Sequence, residues 1–452
     1  MRRRPRHRGS AARGALAAAA ALALVLVLGA CSSASPDPRG GGPAFGTLAS
    51  SCRPDRVPAL RQAGVTVAMI DVQWAAAEPE AGAPDLGYLA DVRERVATCT
   101  RAGMRVVLGL GLDNGPDWVL ERPGAAFVDQ FGATSPLREP DLVFDGAVRD
   151  AAAGYLRDLA GIVGLGDVAA IRLSAELGYP GPSGATTTQF WAFGDVPQGG
   201  PGLAEGVEPS PMPGWRPSEP DWQGAPMTAE QVDGWYAWYT RSLAGSVTWV
   251  SDTLRSVGFT GDVHVPLAGR GVLPQDRAAA VAGGLDGRAD PEGALGYGLD
   301  YPSIFRTFAE HDARLRSLSP PSRLVVDYTG LDDDTATRAR AASPGQETCR
   351  PGDTPESLAE AGLDRAAAQR WTIALARSVG LPVVAENPGP PGPTTGGSRF
   401  SDSEAEQLVA AARYARDCGI DTFFLAFEDQ LFEPGSGIDV PAYARVIAGQ
   451  PA

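Results

Sequence analysis

Apolar residues in this chain fall into short, nearly continuous runs separated by longer stretches with helical spacing. The first clear run is 64–71 (GVTVAMID); a helix-type segment at 85–101 ends near Gly103, and a second run follows at 105–110 (RVVLGL). Runs of four to eight residues, apolar on both faces and bounded by Gly or Pro, suit strands of a parallel sheet covered by helices. A shorter strand candidate lies at 127–129. The alternation then continues with a helix at 148–163, a strand at 168–174, a helix at 228–257 and a strand at 263–267. Helices at 274–285 and 303–318 precede a strand at 324–328. A helix at 364–379, a strand at 382–386, a helix at 402–416, a strand at 422–427 and a helix at 440–448 complete the chain. Eight strands, each followed by helix-type sequence, predict the α/β class: a single (β/α)8 TIM barrel with a long Pro/Gly/Trp-rich insertion, 179–228, after the fourth strand. No glycine-rich dinucleotide fingerprint follows the first run, so an open doubly wound sheet is disfavoured.

The first thirty residues break this pattern. Arg2, Arg3, Arg4, Arg6, Arg8 and Arg13 precede an apolar stretch, 15–28, and the small residues Gly29 and Ala30 stand just before Cys31. This resembles a secretory leader of lipoprotein type, with Cys31 the expected lipidation site. An ordinary secretory peptide is the alternative. Residues 31–43, rich in Ser, Pro and Gly, then read as a flexible tether, and 44–452 as the barrel. The expected location is outside the cytoplasm, held to the cell membrane only through the lipid.

Composition narrows the chemistry. The formal charge of the whole chain is −15, and loss of residues 1–30 removes six arginines and no acids, taking it to −21. Such a surface disfavours nucleic acid, whose phosphates need cationic contacts. All 39 basic residues are arginine, which excludes a Schiff-base lysine and the lysine of a phosphate loop. Past the leader only His264 and His311 remain, so a histidine-rich metal centre is not expected. Neither metal nor cofactor is called for; Asp327 with the acidic run 332–334 could form a calcium-type cluster, but a solvated acidic loop is the preferred reading. Cys52, Cys99, Cys349 and Cys418 allow two disulfides in an oxidising compartment, with three connectivities open and Cys52–Cys99 preferred.

What remains is carboxylate chemistry, and barrels keep working residues at the C-terminal ends of their strands. The acids there are Asp71, Asp113, Glu176, Glu386 and Glu428, with Gln73 and Tyr328 alongside. Glu176, in the stretch IRLSAELGYP, and Glu386 end the fourth and seventh strands. Two carboxyls facing each other across a barrel mouth are what glycoside cleavage needs, one to protonate the leaving oxygen and one to attack carbon or activate water. Glu428 is the rival for the second role, and solvated strand ends are the bland alternative for all three. Trp74, Trp118, Tyr179, Trp191, Phe193, Trp215 and Trp222 could present flat faces to sugar rings or pack the insertion. Tyr328 could hold the second carboxyl ionised or be a buried structural tyrosine.

The segment Asp71-Val72-Gln73-Trp74, with Glu78-Pro79-Glu80-Ala81-Gly82, Tyr88-Leu89, Ala102-Gly103-Met104 and Pro116-Asp117-Trp118, resembles the opening of family 42 glycoside hydrolases. The likeness continues through 127–132 and Arg149, and reappears at Glu386-Asn387-Pro388-Gly389. It implies a β-galactosidase-type enzyme acting on an oligosaccharide or polysaccharide, with Glu176 the acid/base and Glu386 the nucleophile. Asp71, Trp74, Asp113, Trp118, Tyr179, Tyr328 and Glu428 would line the substrate. Ala175 departs from the family, which usually has asparagine there, and 175–180 (AELGYP) instead resembles the fourth-strand motif of β-amylases. The sequence closes with the barrel, so the family's C-terminal domains and trimeric assembly are not carried over. A β-amylase-like inverting hydrolase and a glycan-binding lipoprotein without catalysis are the other readings.

Overall fold

Eight parallel strands close into a barrel, each hydrogen-bonded to its neighbours in chain order and the last to the first. They are β1 (Ala44–Thr47), β2 (Val67–Asp71), β3 (Arg105–Gly109), β4 (Val168–Arg172), β5 (Asp262–Leu267), β6 (Leu324–Tyr328), β7 (Val383–Glu386) and β8 (Thr422–Leu425). The computed structural model describes residues 42–173, 176–181, 188–288, 293–365, 367–387, 389 and 404–451. Ala175, Pro388 and the leader with Cys31 lie outside these described residues.

Two expectations change. Residues 127–129 are no barrel strand; Ala126 and Val128 make only isolated bridges, to Pro140 and Thr134, within the loop that follows β3. The strand missed from the pattern is β1, whose four residues (AFGT) are too few and too small to stand out as an apolar run. It is recognised through pairing alone, with β8 over Ala44–Thr47 and with β2 at Gly46 and Thr47. The runs at 64–71 and 105–110 therefore give the second and third strands, while 168–172 and 383–386 keep the fourth and seventh places.

Alternation along the strands separates two apolar layers. Val67 and Met69 of β2, Val107 of β3, Ala170 of β4, Val325 of β6, Val384 of β7 and Phe424 of β8 form a small cluster in the barrel lumen. Their neighbours, among them Ile70, Leu108, Ile171, Val265, Val326 and Phe423, belong to the larger layer under the helices. A Cβ on Gly46 would lie 2.8 Å from the Phe424 ring, so the missing side chain makes room for that ring. The period of two then dictates what stands above the lumen cluster. Asp71, Gly109, Arg172, Asp327 and Glu386 are each two residues beyond a lumen residue, so polar groups replace apolar ones in the top layer.

The helices obey local rules. Ala229–Ser256 begins with a capping box in which Thr228 and Gln231 exchange side-chain bonds with each other's backbone N–H, and Asp85, Asp145 and Asp439 cap three others. Cys52–Cys99 joins the loop after β1 to the helix Leu86–Arg101. Cys349–Cys418 joins a long loop to the residue just past the helix Glu404–Asp417. Most aromatics of the insertion pack inward. Tyr239 stacks on Tyr179 with ring centroids 4.0 Å apart, and Trp235 stacks on Tyr239 at 5.3 Å with Trp215 edge-on at 5.5 Å.

Candidate active site

The top layer of the lumen holds three carboxyls around one guanidinium. Arg172, the last residue of β4, donates from Nε to Asp327 Oδ2 at 2.9 Å and from Nη2 to Glu386 Oε1 at 3.1 Å. Asp327 is wholly buried and Glu386 only 6 % exposed. Gly109 belongs to this layer because a Cβ there would stand 3.0 Å from the Asp71 carboxylate. Burial raises the Glu386 pKa well above the usual carboxylate range. Arg172 pulls it down, while the charges of Asp327, Glu176 and Asp71 push it further up. Asp71 is also raised by burial, against the pull of Arg172 and Arg95. Burial works against the charge on Arg172, but Glu386 and Asp327 outweigh it and keep the guanidinium more basic than usual. With three acids and one strong base in one layer, burial pushes both Glu386 and Asp71 toward their protonated forms. Below it, burial takes the His264 imidazole down to about 4, so it is neutral at pH 7.

Glu176 stands higher and is exposed. After β4 the chain is pinned along β5 by Leu173 N–H to the His264 carbonyl at 2.9 Å and Leu177 N–H to the Pro266 carbonyl at 2.7 Å. This brings Glu176 over the end of β6, where the Thr329 hydroxyl donates to its Oε1 at 2.5 Å. Thr329 is fixed in turn by its N–H on the Leu267 carbonyl. The two glutamates thus flank the β6 end, one held by threonine and the other by arginine. Oε2 of Glu386 has no hydrogen-bond partner among the described residues.

The remaining predicted residues separate into groups. Asp113 lines a cavity of about 650 Å³ together with Glu176, Glu139, Tyr179 and Tyr297. Tyr179 touches it from within an aromatic stack, its hydroxyl already donated to the Tyr239 carbonyl at 3.0 Å. Trp74 is fully buried; its ring stacks on Tyr155 and its indole N–H donates to Glu78 at 3.2 Å. Trp118 is half-buried and donates to the Glu78 carbonyl at 3.0 Å. Tyr328 points into the helix layer rather than toward Glu386, and its hydroxyl has no partner among the described residues. Glu428 is 1 % exposed and belongs to a loop lock, accepting from Ser51 N–H at 3.1 Å and the Ser51 hydroxyl at 2.5 Å, with Arg56 at 3.6 Å. In the acidic run, Asp332 pairs with Arg340 at 2.5 Å and Asp333 caps the helix Asp334–Ala342.

Arg172, Glu139 and Phe427 were not singled out as site candidates from the sequence, and Asp327 only as part of a calcium-type cluster. Arg172 and Asp327 carry a legible signal, a charge placed inside an otherwise apolar strand. Glu139 sits in the loop after β3 with nothing in its neighbourhood to mark it; burial and Asp113 take its pKa up to about 7. Phe427, just past β8, is 43 % exposed with its ring against Gly389, a flat apolar face near the mouth.

No family model matches this chain, and no curated protein matches it. Solved structures do. A β-galactosidase from the psychrophilic Marinomonas ef1 is similar with a TM-score of 0.56 and 11 % identity, over 90 % of this chain and 59 % of that one. A polyextremophilic β-galactosidase from the Antarctic haloarchaeon Halorubrum lacusprofundi gives 0.54 and 14 %, over 90 % and 57 %. A catalytic mutant of a family 42 β-galactosidase from G. stearothermophilus gives 0.52 and 13 %, over 85 % and 51 %. The chain spans between half and three-fifths of the length of these proteins, and at such identity they share its barrel fold.

Proposed function

We propose that the protein is a glycoside hydrolase in which Glu176 is the general acid/base and Glu386 the nucleophile, or the base toward water if cleavage inverts. The observation that carries this reading is the placement of two carboxyls at the ends of β4 and β7. Among the described residues, Thr329 donates to one and Arg172 to the other, on either side of the β6 end, and Oε2 of Glu386 has no partner. The β-galactosidase names of the similar barrels support the same chemistry, and a galactoside-type substrate is the finer expectation. Glu176 would pass a proton to the glycosidic oxygen as the bond to carbon breaks, while Glu386, once ionised, attacks that carbon or takes a proton from water. Asp71 and Asp113 would accept hydroxyl groups of the sugar, and Phe427 would offer it a flat face.

Burial favours the protonated form of Glu386, so activity should rise with pH as that proton leaves. The test is hydrolysis of a panel of aryl glycosides and oligosaccharides by the purified protein, alongside Glu176→Gln and Glu386→Gln. Loss in both variants supports the pair, and the anomer of the first product separates retention from inversion. Ala175, where family 42 usually has asparagine, favours a second reading, a glycan-binding protein without catalysis. Sugar binding with no turnover on any substrate would select it.

The reading extends to location. Residues 1–30 would be removed on export and Cys31 lipidated, with the two disulfides consistent with an oxidising compartment. Incorporation of labelled palmitate by the wild type but not by Cys31→Ser would support this; labelling of both would overturn it.

A further inference from the structure

The cavity beside Glu176 changes character along its length. At the mouth it carries Asp113, Glu139 and Glu176. Deeper, it runs between the outer face of β4–β5 and the helix Ala229–Ser256, where the walls are Leu142, Val143, Leu173, Val247, Val250 and Val265. Ser246 is the one hydroxyl on that helix face of the wall, and it is already donated to the Leu243 carbonyl at 2.7 Å. Close-packed interiors rarely leave aliphatic walls facing open space, because the lining atoms lose their contacts. Apolar cavity walls take apolar ligands.

A second sugar ring does not fit these walls. Its hydroxyls would leave water without partners, and each would cost more than its burial returns. The cavity is also placed on one side of the proposed reaction: Glu176 lines it and Glu386 does not. A general acid stands beside the group that leaves, so this cavity is on the leaving-group side.

We propose that the substrate is a glycoside of an apolar alcohol, its aliphatic aglycone running from Glu176 along Leu173 and Leu177 into the space walled by Val247, Val250 and Val265. This rests on the glycosidase reading for the direction of the substrate, but the apolar site itself does not. The deeper walls are mostly aliphatic side chains, with Phe127 and Tyr179 beside them, which suits a hydrocarbon.

The test separates the two. Displacement of the fluorescent probe 1-aminoanthracene by 1-decanol is followed with the full-length protein, with Val247→Trp, which fills the cavity, and with Leu177→Gln, which makes a half-buried part of its wall polar. The expected result is decanol binding by the wild type, weakened tenfold or more in both variants, each checked for an intact circular dichroism spectrum. In parallel, kcat/KM of the wild type on methyl, butyl and octyl glycosides should rise roughly tenfold or more with chain length, since each buried methylene favours binding. That gradient should flatten in Val247→Trp. Should Val247→Trp fail to fold, Leu177→Gln carries the comparison. No decanol binding by the wild type, or equal binding by folded variants, overturns the proposal whatever the enzyme activity. Decanol binding with no glycoside cleaved removes the glycosidase reading and leaves the apolar site supported.

Discussion

Glu386 and Glu428 follow neighbouring strands of one barrel, and they face opposite fates. Glu428 is surrounded by donors: Ser51 through both N–H and hydroxyl, and Arg56 from the helix-forming side of the loop. Its acceptor capacity is used to hold the turn after β8 against the end of β1. Glu386 points into the lumen, shares Arg172 with Asp327 and, among the described residues, keeps one oxygen without a partner. An acid at a strand end is committed or available according to which donors the neighbouring strands supply. Sequence position does not distinguish the two.

The largest expected effect tests that contrast directly. Glu386→Gln and Glu176→Gln should each lower kcat by about 10²–10⁴ on any glycoside the wild type cleaves, the range typical of a lost acid–base or nucleophilic group. Glu428→Gln should leave turnover largely intact in protein kept folded. If Glu428→Gln were as inactive as Glu386→Gln, the assignment of the two residues would be reversed.

The matching stability experiment has the opposite ranking. Glu428→Gln exchanges an acceptor for a donor facing the Ser51 hydroxyl and gives up Arg56, which should cost about 1–3 kcal/mol in denaturant unfolding. Glu386→Gln removes a carboxyl whose ionisation burial opposes, so its loss of stability should be the smaller of the two. Equal losses would mean that Glu386 is held ionised by Arg172.

The pH dependence sharpens the picture of the lumen layer. Asp327 competes for Arg172 and repels a charge on Glu386, so its carboxylate helps Glu386 keep its proton. Asp327→Asn should therefore move the acidic limb of the kcat/KM profile to lower pH, because Glu386 then ionises more readily. A limb that stays in place would assign it to another group.

The smallest effect concerns Glu139. Its folded pKa of about 7 lies above the ordinary glutamate value of 4.5, so the folded state binds the proton more tightly than the unfolded one. Its contribution is fully present below the unfolded value and is eroded as pH rises from about 4.5 to about 7. In Glu139→Gln the fall of Tm over that window should be shallower than in the wild type; an unchanged slope would mean that Glu139 is solvated.

Much of this architecture is legible in the chain. Four- to six-residue apolar runs alternating with amphipathic stretches leave few options besides a parallel barrel, and seven of its strands coincide with such runs. β1 escaped because Ala44-Phe45-Gly46-Thr47 owes its place to partners on both sides and to the fit of Phe424 over Gly46. The loop at 127–129 misled for the converse reason, since three residues of strand composition had no strand beside them to pair with. In the site, Glu176 and Glu386 were visible as acids where apolar runs stop. Arg172 was passed over because an arginine two residues beyond Ala170 looks like ordinary polar alternation until the barrel closes and that face becomes the lumen.

The sequence by itself determined the barrel, the insertion, the shortage of basic and nucleophilic chemistry, and the acids at the strand ends, because period and residue type are local properties. Only the tertiary structure decided which acids share an arginine, which are consumed by loop locks, and that Trp74 and Tyr179 stack inside the protein. It alone revealed an aliphatic cavity beside Glu176. Those outcomes depend on the register of eight strands and on burial, which bring residues more than a hundred positions apart within hydrogen-bonding distance.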